Sequence, residues 1–134
     1  MGGKDLFRPS GKPVLELLEM VQKVIKEHAR DRDVRITTDF TTAVSVVADP
    51  KLVEKCAEYI NPGNSYSFIE MGIETGSPRL IELIMPGKVR PFKSSEYPDI
   101  VEQAVGVLND NRWIVCGTMI VNFPGERGGC VEEP

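Results

Sequence analysis

The sequence predicts an α/β fold with about three parallel strands and helices beside them. Mainly apolar, strand-like stretches are separated by segments whose apolar residues recur every three or four positions, as on one face of a helix. This alternation favours a parallel sheet with right-handed crossovers. The 134 residues, 41% apolar and 27% charged, suffice for one hydrophobic core. We therefore expect residues 1–134 to form a single domain.

The first half of the chain predicts two helices and one strand. Pro13 begins a helix that continues to about Arg30, and the strand DVRITTDF (33–40) follows. Asp49 as N-cap and Pro50 at the first position begin the second helix, which stops at residues 61–63. The first helix should bury one apolar face, made of Val14, Leu17, Leu18, Val21, Val24 and Ile25.

The second half predicts two more strands and two more helices. A strand covers residues 66–74, and Ser77 followed by Pro78 begins a short helix with Leu80, Ile81 and Ile84 inward. A linker rich in lysine, arginine and serine leads to a helix over 95–109. The third strand is WIVCGTMIVNF, residues 113–123, which ends at a Pro-Gly turn pair.

Composition excludes several classes of function. A net charge of −4 argues against general binding to nucleic-acid backbones, and no run of about 18 apolar residues is available to cross a membrane. Residues 1–13 carry no secretory signal pattern, so we expect a soluble, cytoplasmic protein. Cys56, Cys116 and Cys130 match no metal-ligand spacing, and no metal site is predicted. Cys56 and Cys116 are expected to be small buried hydrophobes.

Two junctions could carry chemistry, because ligands of parallel α/β folds collect at the carboxyl ends of strands. At the first, Gly76 should allow a tight turn, Ser77 should cap the next helix, and Glu74 is left as an acceptor that suits the hydroxyls of a ribose. The alternative is an ordinary turn with a solvated Glu74. At the second, MIVNFPGE (119–126) offers apolar surface and backbone groups for a nucleobase, or is simply a strand that runs into a turn.

In this order, GIETGSPRLIELIMPGK (72–88) and GTMIVNFPGE (117–126) resemble the second half of the radical S-adenosylmethionine barrel. ADPKLVEKCAEYI (48–60) and KDLFRP (4–9) extend the resemblance over nearly the whole chain. It implies a fragment of a partial (β/α) TIM-like barrel. It also implies a set of residues that bind S-adenosylmethionine: Glu74 on the ribose, Thr75 and Ser77 beside it, and Ile120, Val121 and Asn122 near the adenine.

The chain departs from this family in four places, one of which is the missing glycine-rich turn after the family's second strand. It lacks the Cys-x3-Cys-x2-Cys loop whose thiolates hold the family's [4Fe-4S] cluster. Asn122 stands where relatives often have glycine, and the expected acidic helix start is replaced by RGGCVEEP (127–134), which we expect to be a disordered tail. The resemblance therefore implies an intact parent that reductively cleaves S-adenosylmethionine at a [4Fe-4S] cluster for radical chemistry, on an unknown substrate. This chain alone should be inactive, with no catalytic residue and no cofactor of its own.

A second hypothesis comes from another class of protein. The chain could be a non-catalytic α/β domain that binds a nucleotide or phosphate at Ser77 and the following helix N-terminus, or that assembles with a partner. A sheet of about three strands leaves two edges with unpaired backbone groups, so self-association through those edges is expected under either hypothesis.

Overall fold

The structure, a computed structural model, describes residues 5–8, 12–29 and 32–121. The helices and strands of this part are α1 (Lys12–His28), β1 (Phe40–Thr41), α2 (Ala43–Ala48), α3 (Pro50–Ile60), β2 (Ser67–Glu74), α4 (Pro78–Ile84), α5 (Tyr97–Asp110) and β3 (Trp113–Met119). Two short 3₁₀ turns, Pro86–Lys88 and Ser94–Glu96, lie between α4 and α5. The predicted alternation of strands and helices is confirmed.

The three strands form one parallel sheet in the order β1-β2-β3. Phe40 pairs with Glu70, and Ser67 pairs with Trp113, so β2 is the central strand. Asp5 adds an isolated parallel bridge on the far side of β1. Neighbours in the sheet are thus neighbours along the chain, as in a (β/α) barrel, whereas a doubly wound sheet reverses its order at a switch point. The structure confirms an α/β fold consistent with a partial β/α fragment.

The hydrophobic core lies between one face of the sheet and the helices. Ile69 and Met71 of β2 and Trp113 of β3 are buried there, together with apolar side chains of α2, α3 and α5. The ring of Phe7 meets that of Trp113 edge to face, with centroids 5.5 Å apart. Because side chains alternate along a strand, the core receives every second residue over most of β2, but only Trp113 and the half-buried Val115 of β3.

The opposite face of the sheet is exposed among the described residues. Phe68 is 66% exposed, and Ile114 and Cys116 are also exposed. The expectation of a buried Cys116 is therefore wrong, because its position in the alternation directs it to the uncovered face. Cys56 is buried in α3, as expected, and burial together with the nearby Asp49 carboxylate raises the pKa of its thiol to about 12.

Two elements after α1 differ from the prediction. The strand expected over 33–40 is reduced to Phe40–Thr41, because only these residues meet β2, and a β-rich composition forms no ladder without a partner strand. No helix was predicted at α2, because its β-branched residues disfavour one. Thr42 begins α2 by accepting a hydrogen bond from the backbone N–H of Ser45, and the buried Val46 anchors it in the core.

Apolar residues of α1 and α4 are less buried than predicted. Leu18 is buried as expected, but Leu17 and Val24 are exposed, because α1 packs mainly on α3 and one neighbour cannot cover its whole apolar surface. In α4, Leu80 and Ile81 are buried whereas Ile84 is exposed. No helix within 12–29 or 32–121 is long and apolar enough to cross a membrane.

Candidate ligand site at the carboxyl ends of the strands

The carboxyl ends of the parallel strands meet along one edge of the sheet. Glu74 ends β2, and it lies in register with Met119 at the end of β3. The backbone N–H of Ile120 donates to the carbonyl of Glu74 over 2.9 Å, so the pairing continues one residue past β3. The structure therefore brings Glu74 next to Ile120 and Val121, which the sequence placed at one site from two distant motifs.

Glu74 has an unusual backbone conformation for a residue with a side chain. Its φ is 67°, in the left-handed region, and the register shifts between Gly72 and Glu74. Such a conformation costs a non-glycine residue about 1–2 kcal/mol, and bulges of this kind re-aim side chains next to active sites. The chain bends at Gly76, as predicted, but the left-handed residue of this turn is Glu74.

Buried hydrogen bonds hold the backbone around Glu74. The carbonyl of Ile73 accepts from the backbone N–H of Thr75 over 2.8 Å and from the hydroxyl of Tyr97 over 2.9 Å. Tyr97 is 1% exposed, and burial together with the Glu74 carboxylate raises the pKa of its phenol to about 12. The phenol therefore remains a neutral donor at physiological pH and fixes the end of β2.

The carboxylate of Glu74 is paired with Lys88, a contact that the sequence did not predict. Lys88 Nζ lies 2.9 Å from Glu74 Oε1, and the two side chains are only 15% and 22% exposed, respectively. The pair sits above Gly72, where an added Cβ would be 2.7 Å from Oε1 and 3.2 Å from Nζ. Glu74 is thus neither fully solvated nor free. The 3₁₀ turn at 86–88, which brings Lys88 back to the sheet, has no periodic sequence signal.

Thr75 and Ser77 lie beside Glu74, but their hydroxyl groups shape the turn. Thr75 is buried, and its Oγ1 accepts from the backbone N–H of Ser77 over 3.1 Å. Ser77 Oγ accepts from the backbone N–H of Leu80 over 3.4 Å, which confirms the predicted N-cap of α4. These two hydroxyl groups therefore stabilise the turn that follows Glu74 and the start of α4.

Ile120 and Val121 follow β3 and are both exposed, so they present apolar surface next to Glu74. Asn122 and the expected tail 127–134 lie outside the described residues. The apolar face of a nucleobase and the hydroxyls of its ribose would thus meet matching groups on two adjacent strand ends.

A second polar cluster, centred on Asp5, lies at the same edge and was not predicted from the sequence. One carboxylate oxygen of Asp5 accepts from the backbone N–H of Phe7 at 3.2 Å and from Thr41 Oγ1 at 3.1 Å. The other accepts from Thr42 Oγ1 at 2.7 Å and from Ser45 Oγ at 2.6 Å. Asp5 therefore ties the start of α2 to the sheet. The hydroxyl-rich run at 41–45 was visible in the sequence, but its carboxylate partner is about 40 residues away.

Within the described ranges, no group of three or more histidine, cysteine or acidic side chains is placed to share a metal ion. Comparisons of the chain with models of protein families, with curated proteins and with solved structures found no match. The proposal for function therefore depends on the geometry of this edge and on the motifs that form it.

Proposed function

We propose that this chain is part of a radical S-adenosylmethionine barrel and that the strand ends at Glu74 and Ile120 bind the adenosine portion of the cofactor. The observation that carries the proposal is the position of Glu74, whose side chain is only 22% exposed at the end of the central strand and whose carbonyl pairs with the backbone N–H of Ile120. The parallel sheet in chain order and its exposed second face support the same architecture.

The carboxylate of Glu74 has acceptor capacity left for a ribose. Lys88 occupies one position on Oε1, and none of the described residues donates to Oε2. A carboxylate offers about four lone-pair positions, so both hydroxyls of a ribose can donate to it while Lys88 stays bound. Hydrogen bonds to a charged acceptor contribute about 1.5–3 kcal/mol each. Lys88 holds the carboxylate in one orientation, which reduces the ordering that binding requires.

The residues present fit the adenosine of S-adenosylmethionine but not the iron–sulfur cluster. The cofactor's cleavage requires electrons from a [4Fe-4S] cluster held by three thiolates. Cys56 lies in the core with a thiol pKa near 12, and Cys116 lies on the exposed face of the sheet, so these two cysteines form no cluster site. This chain therefore binds and orients adenosine in the proposed role, and reduction belongs to the intact parent.

The contacts at Ser77 disfavour the phosphate-binding hypothesis. The following helix, α4, has seven residues, and the backbone N–H of Leu80 already donates to Ser77 Oγ. Arg79 in the first turn of α4 is exposed, whereas the ammonium of Lys88 is paired with Glu74. A phosphate that used Lys88 would have to displace the Glu74 carboxylate, whereas a ribose could donate to that carboxylate.

An NMR titration with adenosine tests the proposal on the chain itself. We expect millimolar binding, since few contacts offset the cost of immobilising a ligand, with amide shifts concentrated at 72–77 and at Ile120 and Val121. 2′,3′-Dideoxyadenosine, which lacks both ribose hydroxyls, should bind at least roughly tenfold more weakly. Glu74→Gln should reduce the affinity for adenosine to that of the dideoxy compound.

Glu70→Gln is the matched control, because Glu70 is an exposed glutamate on the same strand. It should leave adenosine binding unchanged. Equal affinities of adenosine and its dideoxy analogue would refute the ribose contact. Shifts produced by inorganic phosphate and confined to 77–80 would instead favour the phosphate-binding hypothesis.

A further inference from the structure

Helix α1 carries a row of apolar side chains that the described fold does not cover. Leu17, Met20 and Val24 are 54%, 61% and 49% exposed, while Leu18 beside them is 4% exposed. Residues spaced by three and then four positions lie in one row along a helix. α1 thus has two apolar faces: one packs on the core, and the second, formed by Leu17, Met20 and Val24, is here called the outer stripe.

The outer stripe is flanked by an ordered pair of opposite charges. Glu16 and Lys23 immediately precede Leu17 and Val24, and both are exposed. They are seven residues apart, so they lie on the same side of the stripe, one near each end. In helix pairs, charges that flank the apolar seam determine which partner is accepted and in which orientation.

We propose that the outer stripe is a docking surface for a second copy of this chain, with the two α1 helices antiparallel. A two-fold axis between Leu17 and Met20 sets Leu17 against the partner's Met20. The same axis sets Val24 against the exposed Pro13 of the partner. Glu16 then faces the partner's Lys23, and by symmetry this contact occurs twice. The surface is therefore self-complementary in charge.

Charge complementarity selects the second copy and its orientation over the alternatives. In a parallel pair, Glu16 would face the partner's Val21, and neither charge would gain a counterion. The exposed face of the sheet is a poorer surface for self-association, because the charged Glu70 lies among its apolar residues and no opposite charge is placed beside them on that face of β2. The association differs from edge-to-edge pairing of strands, since it leaves the sheet unaltered.

The contact is small, so the dimer is weak. Two helices that share only about three turns bury less than the roughly 1,200 Å² of a standard interface, and we expect a dissociation constant of about 0.1–1 mM. Exposed ion pairs contribute little each, but replacing two attractive pairs by two repulsive ones should weaken dimerisation roughly tenfold.

Analytical ultracentrifugation of two charge variants tests the proposal. Glu16→Lys and Lys23→Glu should each weaken dimerisation roughly tenfold. An equimolar mixture of the two variants should regain the wild-type affinity, because each lysine at 16 then meets a glutamate at 23. The double variant should also regain it. Circular dichroism verifies that the variants fold.

Glu19→Lys and Lys26→Glu are matched controls, since they change net charge equally at exposed positions of α1 away from the outer stripe. They should leave dimerisation unchanged. The proposal is overturned by a wild-type chain that is monomeric at millimolar concentration, or by control variants that weaken association as much as the test variants. Association that Phe68→Ser abolishes and Leu17→Glu preserves would assign the contact to the sheet face.

Discussion

Gly72→Ala tests whether the position of the Glu74 carboxylate matters independently of its charge. Gly72 is the residue over which the carboxylate and the ammonium of Lys88 lie. An alanine Cβ would be 2.7 Å from Glu74 Oε1, and ordinary contact begins near 3.4 Å, so Oε1 must move away by about 0.7 Å. Lys88 Nζ, at 3.2 Å from that Cβ, must also withdraw. The substitution therefore opens the pair without removing either charge.

The expected effect on stability is small. An ion pair in which both side chains retain some exposure contributes about 1 kcal/mol or less. Replacing glycine by alanine stabilises by about 0.4–1 kcal/mol through the unfolded chain, where the backbone conformation permits it. The backbone of Gly72 is not left-handed, so that gain applies. We therefore expect a net change within about 0.5 kcal/mol of zero. Adenosine binding should nevertheless weaken, because the acceptor no longer lies beside Ile120.

Chemical denaturation and the adenosine titration measure the two effects separately. Gly76→Ala is the matched control, since a Cβ there meets nothing within 4 Å, and it should alter neither quantity unfavourably. In a Lys88→Met background, Gly72→Ala should be less destabilising by the energy of the lost pair. If Gly72→Ala lowers the free energy of unfolding by more than about 2 kcal/mol, the side chains of Glu74 and Lys88 cannot move away from the added Cβ, as in an overpacked core. Unchanged adenosine affinity would refute a role for the carboxylate's position.

Two further predictions concern stability. The raised pKa of Tyr97 stabilises the fold below pH 10, and about 2–3 kcal/mol should be lost between pH 10 and 12, because the unfolded chain then releases the phenol proton first. Tyr97→Phe should flatten this dependence in pH-resolved denaturation. Asp5→Ala should cost about 2–4 kcal/mol, because it removes the carboxylate that accepts hydrogen bonds from the hydroxyls of Thr41, Thr42 and Ser45. Asp49→Ala, which removes the ordinary N-cap of α3, should cost about 1 kcal/mol of stability. Equal losses of stability in the two variants would refute the role of Asp5 in fixing α2 to the sheet.

The sequence predicted correctly those helix starts that depend on interactions within a few residues. Pro50 after Asp49, and Pro78 after Ser77, begin helices where expected, because an N-cap side chain and a fixed proline φ act within a few residues. β2 was predicted almost to the residue, since its alternation reflects burial of one face in the core.

The prediction failed for features that depend on contacts between residues far apart in the sequence. The start of α2 is hydrogen-bonded to Asp5, nearly 40 residues earlier, and helix propensities contain no information about that contact. Leu17 and Cys116 are apolar residues of regular elements, but the sequence does not show which of two faces finds a neighbour. The candidate site was half predictable for the same reason: the motif at 74–77 identified its position, whereas the ion pair with Lys88 required the 3₁₀ turn at 86–88.

Glu74 adopts a backbone conformation that residues with a side chain disfavour. A glycine would adopt its φ of 67° at no steric cost, and a glutamate there loses about 1–2 kcal/mol. The pair with Lys88 and the hydrogen bond from Tyr97 to the carbonyl of Ile73 offset that loss and hold the strained turn. Glu74 ends the central strand at the edge where parallel sheets bind ligands, and its strained backbone and its pair with Lys88 are the physical reasons behind the proposal that it binds a ligand.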